Sequence, residues 1–252
     1  MEQFSTQYIN QVYSLIRQRG AIVLSNFYGV DENEVYYGVC SEESLAIVKN
    51  ECDYQRMYVV TINTNDLISL LSLSLITDQK YVINIPTKGD IAQWDNLLKN
   101  FEFKQIGTYH RYNNLKIKYR KSAIGEYANI NQIGEIEKLL QDNFSKYTDH
   151  LPTKKELSEM IQNNQVLVDL ENGAVVGCLI YTIEGKKVYL NVWIDKGGNG
   201  LFLLYKVYNI IFDLQCKMAY FWVNDENLPV IKLHLLMGAS QDGLVDYTYL
   251  KE

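Results

Sequence analysis

The sequence predicts an α/β protein built as two consecutive units of similar order. Three observations carry that prediction. A strand-helix-strand-helix-strand order occurs twice along the 252 residues, each copy follows a hairpin of apolar strands, and helix start and stop signals lie between the strands. A chain of this length holds one large domain or two compact ones. With three prolines and no low-complexity linker, pattern alone divides it.

The amphipathic N-terminal stretch "MEQFSTQYINQVYSLIRQRG" lacks the apolar core of a signal peptide. After it, "SLAIVKNECDYQRMYVVTIN" reads as the first hairpin. "NDLISLLSLSLI" reads as a helix capped by Asn65 or Asp66, "KYVINI" as a strand, "GDIAQWDNLLKN" as a helix and "FEFKQIGTYHRY" as a strand. The run "LKIKYRK" (Leu115–Lys121) alternates apolar and basic residues, as a strand with one solvated face does. The join between the units is expected beside it, giving domains 1–120 and 121–252.

The second unit opens with "SAIGEYANINQIGEIEKLLQDNF", a short strand and a helix with Ile133, Ile136, Leu139 and Leu140 on one stripe. In "TKKELSEMIQNN", Thr153 and Glu156 have the spacing of a capping box. "VVGCLIYTIEGKKVYLNVWI" gives two strands joined at "EGKK", followed by the loop "DKGGNG" and the apolar helix "LFLLYKVYNIIFDL". "MAYFWV" is a strand, and "NDENLPVIKLHLLMG" a helix with Pro229 in its first turn and Gly238 at its end. "GLVDYTYL" closes the chain as a strand.

Composition removes several classes of function. Hydrophobic residues make up 47% and charged ones 21%, enough apolar material for a core in a globular protein. Twenty tyrosines suit rings packed in that core with hydroxyls at its edge. A net charge of −6 argues against a nucleic-acid face, which needs clustered Lys and Arg. The longest apolar run, "LISLLSLSLI", is too short to cross a bilayer, so no membrane partner is expected. Cys40, Cys52, Cys178 and Cys216 form no CxxC pair, and His110, His150 and His234 stand at no zinc-like interval from them. Reduced thiols, no metal and a cytoplasmic location follow as expectations. Cys178 and Cys216 read as small buried hydrophobes.

The stretch "DKGGNGLFLL" allows two readings. The start of a helix bares backbone N–H groups and partial positive charge, and glycines let an anion approach them. Gly197, Gly198, Asn199 and Gly200 ahead of Leu201 suit that use. They equally suit a turn that feeds a buried helix.

From Lys121 to its end the chain resembles the GNAT superfamily of acyl-CoA-dependent N-acyltransferases, whose fold is a mixed, mostly antiparallel sheet flanked by helices. "NGAVVGCLIY" looks like the family's hairpin, "VNDENLPVIKLHLLMGA" its late strand-helix segment, and "DKGGNGLFLL" lies over its [Q/R]-x-x-G-x-[G/A] loop, with Gly198 and Gly200 in the glycine positions. The first half looks like a decayed copy, because "INTNDLISLL" has no glycine where the loop would lie; it is expected to be structural or to wall the substrate site.

What the resemblance implies is an acyl-CoA, expected to be acetyl-CoA, as co-substrate and a small-molecule or peptide amine as acceptor. Its binding positions would be Val192 and Ile194 on the central strand, Lys196, Gly197, Gly198, Asn199, Gly200 and Leu201 in the loop, and Asn227, which also reads as a helix cap. Asp195 stands where the family carries Arg or Gln, so either it points away or affinity falls, with Lys196 as partial compensation. His234 stands where many members carry a tyrosine that protonates the departing thiolate; it reads equally as a packed or solvated helix-face histidine. Strict alternation puts Tyr189, Asn191 and Trp193 on one face with no carboxylate, so the amine's proton would pass to a water chain or to Asp149, Asp246 or Tyr247, none of which stands out. Two rival functions stay open: a non-catalytic acyl-CoA or protein-binding module, and transfer from aminoacyl-tRNA, which the acidic charge disfavours.

Overall fold

The computed structural model describes every residue except Cys52, Thr77 and Ser122. The chain divides into two compact units, Met1–Thr108 with Val245–Glu252, and Tyr109–Leu244.

The first unit runs β1 (Glu2–Phe4), α1 (Thr6–Arg19), β2 (Leu24–Ser25), β3 (Tyr36–Cys40), β4 (Ser44–Asn50), β5 (Gln55–Thr61), α2 (Thr64–Ser74), β6 (Tyr81–Thr87) and α3 (Ala92–Asn100), and enters β7 (Lys104–Asn114). β1, β3, β4 and β5 are successive antiparallel neighbours. β5 meets β6 in parallel at Gln55–Arg56, and β6 pairs antiparallel with Val245–Lys251. The two-residue alternation of a strand builds two cores. Ala46 and Val48 face α2 and α3, whose Leu67, Leu71, Trp94 and Leu98 are buried there, while Leu45 and Ile47 face Ile9, Val12 and Ile16 of α1. The cap of α2 is Asn63, not Asn65 or Asp66. Its extended backbone starts the helix, its carbonyl accepts from the Leu67 N–H, and its side chain accepts from the Asn65 N–H.

The second unit holds the rest of β7, then β8 (Glu126–Tyr127), a short 3-10 turn, α4 (Ile133–Asn143), α5 (Lys154–Gln162), β9 (Val166–Glu171), β10 (Ala174–Glu184), β11 (Lys187–Asp195), α6 (Gly200–Asp213), β12 (Met218–Asn224), α7 (Leu228–Leu236) and the start of β13 (Ser240–Lys251). β8, β9, β10 and β11 pair antiparallel in that order, β11 and β12 are parallel, and β12 pairs antiparallel with Tyr109–Asn114. The α4 stripe buries Ile136 and Leu140 and half-buries Ile133 and Leu139. Thr153 and Glu156 close the expected capping box. Gly238 takes the left-handed conformation (φ +94°) that ends α7.

Two expectations change. The run "LKIKYRK" is not a strand. Buried Asn209 of α6 accepts from the Arg120 N–H (2.6 Å) and donates to its carbonyl (2.9 Å), so a helix side chain, not a neighbouring strand, satisfies the backbone at Arg120. The sequence places the join at 120/121, whereas the compact units part at 108/109. Tyr109–Asn114 already pairs with β12, and the last stretch, Val245–Lys251, pairs with β6 of the first unit. Cys40, Cys178 and Cys216 are free thiols, with burial pushing the Cys178 thiol up to about 12; Cys52 lies outside the described residues. Among the described residues no helix is long and apolar enough to cross a membrane, and no group of three His, Cys, Asp or Glu could hold a metal ion.

Candidate functional site

A bulge shapes the site. On β10, Ile180 pairs with Val192 and Tyr181 with Leu190, which leaves Asn191 opposite nothing. An extra residue in one strand bends it and reverses which face later side chains occupy. Val188 and Leu190 pack under α6 with Leu203, Val207 and Phe221, whereas Val192 and Ile194 pack with Ile136 and Leu157 of α4 and α5. Trp193 returns to the α6 side, where its indole N–H donates to the Gly200 carbonyl (3.1 Å). Tyr189 and Trp193 therefore do not share the face that alternation assigns them.

β11 and β12 are in register at Lys187–Tyr189 against Met218–Tyr220. Past that point a cleft of about 500 Å³ is lined by residues of both strands, including Leu190, Asn191, Val192 and Trp193 from one and Phe221, Val223 and Asn224 from the other. Tyr109, Asp149, Glu226, Asn227 and His234 also line it, and no Lys or Arg does. Such a cleft, with mixed polar and apolar walls that include the carboxyl groups of Asp149 and Glu226, suits a cationic or neutral ligand better than an anion.

His234 is buried, with its ring 3.8 Å from that of Phe221 and 5.8 Å from that of Trp193. Its Nδ1 has no hydrogen-bond partner. Burial lowers its pKa to about 4, so the ring is neutral at pH 7. A neutral imidazole can offer a hydrogen bond to a sulfur atom, but it has no imidazolium proton to give. Asn227 caps α7, accepting from the Val230 N–H (3.4 Å).

Of the candidate bases, Asp149 is the one in the cleft. Its carboxylate accepts from the Tyr109 hydroxyl (3.0 Å), the Thr148 hydroxyl (3.0 Å) and the Ser145 N–H (3.0 Å). Burial nevertheless raises its pKa, which makes it a stronger base than an exposed carboxylate, and burial raises Tyr109 to about 12. Asp246 and Tyr247 lie in the first unit, paired with Pro86 and Ile85 of β6. His150 is exposed and does not line the cleft.

In the glycine loop the exposed Asp195 turns its carboxylate onto the loop's own amides. Its Oδ1 accepts from the N–H groups of Gly198 (2.8 Å) and Asn199 (3.1 Å). A Cβ on Gly200 would stand 2.5 Å from Asp195 Cβ and 2.8 Å from its Oδ2, and one on Gly197 would stand 2.7 Å from Val176 Cγ2. Gly198 has φ +81°. Asp169, 7% exposed, brings a second carboxylate whose Oδ2 is buried without a partner and lies 3.1 Å from the position of a Gly197 Cβ. Lys196 is exposed and its N–H donates to the Val176 carbonyl (2.8 Å). The loop as folded therefore does not fit the diphosphate of an acyl-CoA.

The first unit repeats the parallel junction but closes the space beyond it. Asn26, 2% exposed, donates to the carbonyls of Met57 on β5 (3.0 Å) and Asn84 on β6 (3.0 Å), and accepts from the Val59 N–H (2.7 Å). β2 pairs with Val60 and Thr61, so the chain fills its own groove. An asparagine in an unpatterned segment gives no local sequence signal of that role.

No protein-family model and no curated protein sequence matches the chain. Solved structures do. A GCN5-related N-acetyltransferase from Sphaerobacter thermophilus superposes with a TM-score of 0.60 at 11% identity, over 83% of this chain and 76% of that one. A GNAT-family acetyltransferase from Colwellia psychrerythraea superposes with a TM-score of 0.58 at 12% identity, over 99% of both chains. A tandem GNAT protein from the clavulanic acid biosynthesis pathway gives 0.52 at 10% identity, over 83% and 79%. The chain has the GNAT fold, a mixed α/β arrangement with a mostly antiparallel sheet flanked by helices.

Proposed function

We propose that the second unit is a cytoplasmic N-acyltransferase site that moves an acyl group, in the first instance acetyl, from a thioester donor to an amine of a small molecule or peptide. The observation that carries this reading is the cleft beside the Asn191 bulge, which Leu190–Trp193 of β11 line together with Asp149 and His234. A thioester supplies an activated acyl carbon; the rest falls to this chain. Val192 offers backbone to orient the arm, and Asp149 takes a proton from the acceptor's ammonium or attacking amine, directly or through water. As the nitrogen bonds to the acyl carbon, the carbon–sulfur bond breaks and the electron pair leaves on sulfur. His234, neutral at pH 7, hydrogen-bonds that sulfur through a ring N–H, and the thiolate takes its proton from solvent. No metal enters the scheme. Holding both reactants in one slot supplies much of the rate.

The first unit is a degenerate GNAT-like copy in this reading, its groove closed by Asn26. A second reading, a non-catalytic binding module, is favoured by the Asp195 carboxylate on the loop amides and the neutral His234. Free thiol released from acetyl-CoA across a panel of amines separates the two. Amine-dependent release supports transfer; saturable thioester binding without release supports the module.

A further inference from the structure

Resting on the thioester reading of the cleft, the geometry points to a donor recognised by its uncharged acyl-pantetheine arm alone, because the Asp195 carboxylate holds the diphosphate subsite. Three observations meet at the loop. Gly198 and Asn199, whose amides would face the anion, already donate to Asp195 Oδ1. The carboxylate lies over the first residue of α6 so closely that only glycine fits at 200. Asp169, buried and with an unpartnered Oδ2, adds a second carboxyl group beside Gly197. All three glycines thus have a reason that needs no ligand: approach to Val176, a positive φ, and approach to Asp195. A diphosphate entering here must displace one carboxylate and lie beside another, with exposed Lys196 as the loop's single cation. Along the cleft there is no Lys or Arg to offset that.

The test titrates the full-length protein with acetyl-CoA and, separately, with S-acetyl-pantetheine, which carries the same thioester and arm without diphosphate or nucleotide. Calorimetry or ligand-observed NMR gives both dissociation constants. The expected result is that wild type favours acetyl-CoA by less than tenfold, and that Asp195→Ala raises acetyl-CoA affinity at least tenfold while leaving S-acetyl-pantetheine within threefold. Asp195→Asn, which keeps the shape without the charge, gives the same sign if the alanine variant does not fold. A wild-type preference for acetyl-CoA of tenfold or more overturns the inference and leaves the acyltransfer reading standing. So does an unchanged acetyl-CoA affinity in both folded variants. Binding of neither thioester overturns the acyltransfer reading, and the inference with it.

Discussion

Replacing His234 with phenylalanine tests the electrostatics of the cleft. An unfolded chain protonates its histidine at 6.5, whereas burial between Phe221 and Trp193 holds His234 at about 4 in the folded state. Above pH 6.5 both states are neutral and the histidine contributes nothing to pH dependence. As pH falls from 6.5 toward 4 the unfolded state binds a proton that the folded state refuses, so stability is lost with acidification. The gap between 6.5 and about 4, at roughly 1.4 kcal/mol per pH unit, comes to about 3 kcal/mol. Phenylalanine has similar size and suits an aromatic surround, so His234→Phe should cost less than about 1.5 kcal/mol at pH 7. Between pH 7 and pH 4 the difference between variant and wild type should then move by about 3 kcal/mol in the variant's favour. Urea unfolding followed by tryptophan fluorescence at pH 7, 6, 5 and 4 measures it, and Trp193 reports directly on the second unit. A difference that stays within about 1 kcal/mol across that range would refute the argument. It would mean that the folded ring titrates near its ordinary value and is available as an acid at neutral pH.

The first unit has a group of opposite sign. Desolvation raises Asp246 to about 6 against the ordinary 3.8, so the folded state holds a proton at pH 5 that the unfolded state has released. Its stabilisation is complete below 3.8 and lost as pH rises through 6, and Asp246→Asn should gain about 3 kcal/mol relative to wild type between pH 4 and pH 7, read from Trp94 fluorescence. Asn26→Ala removes the partner of two carbonyls and one N–H in the filled groove; at about 1–3 kcal/mol for each buried unpaired group, a loss of at least about 3 kcal/mol in urea unfolding is expected, and a loss below about 1 kcal/mol would show the groove relaxes. Asp149→Asn should lower kcat about 100-fold with the best amine acceptor, whereas Tyr109→Phe, which removes one of three donors to that carboxylate, should lower it less than tenfold. Equal effects would make the hydroxyl, not the carboxylate, the group that matters.

What the sequence disclosed was local. The α4 stripe, the Thr153–Glu156 box, Pro229 and Gly238 around α7 and the strand pair before the glycine loop each carry their signal within a few residues, and the fold order follows from them. What escaped depends on partners far along the chain. "LKIKYRK" alternates like a strand, yet Asn209, about ninety positions later, claims its backbone at Arg120. Asn191 became a bulge because β10 and β11 pair out of step there, which no periodicity in β11 reveals. The departure at Asp195 was legible as a residue type, but its direction, onto the loop's own amides, depends on how tightly the loop turns over Gly200. Asp149 could be named as a candidate base; that burial beside Tyr109 raises its pKa could not.

The central claim is that the cleft beside the Asn191 bulge seats an acyl thioester. A crystal structure of the protein grown with S-acetyl-pantetheine tests it most directly. Density for the arm is expected along the backbone of Asn191–Trp193, with the acyl carbon toward Asp149 and the sulfur on the His234 side. Density for the arm elsewhere on the protein, with that slot filled by solvent, would contradict it.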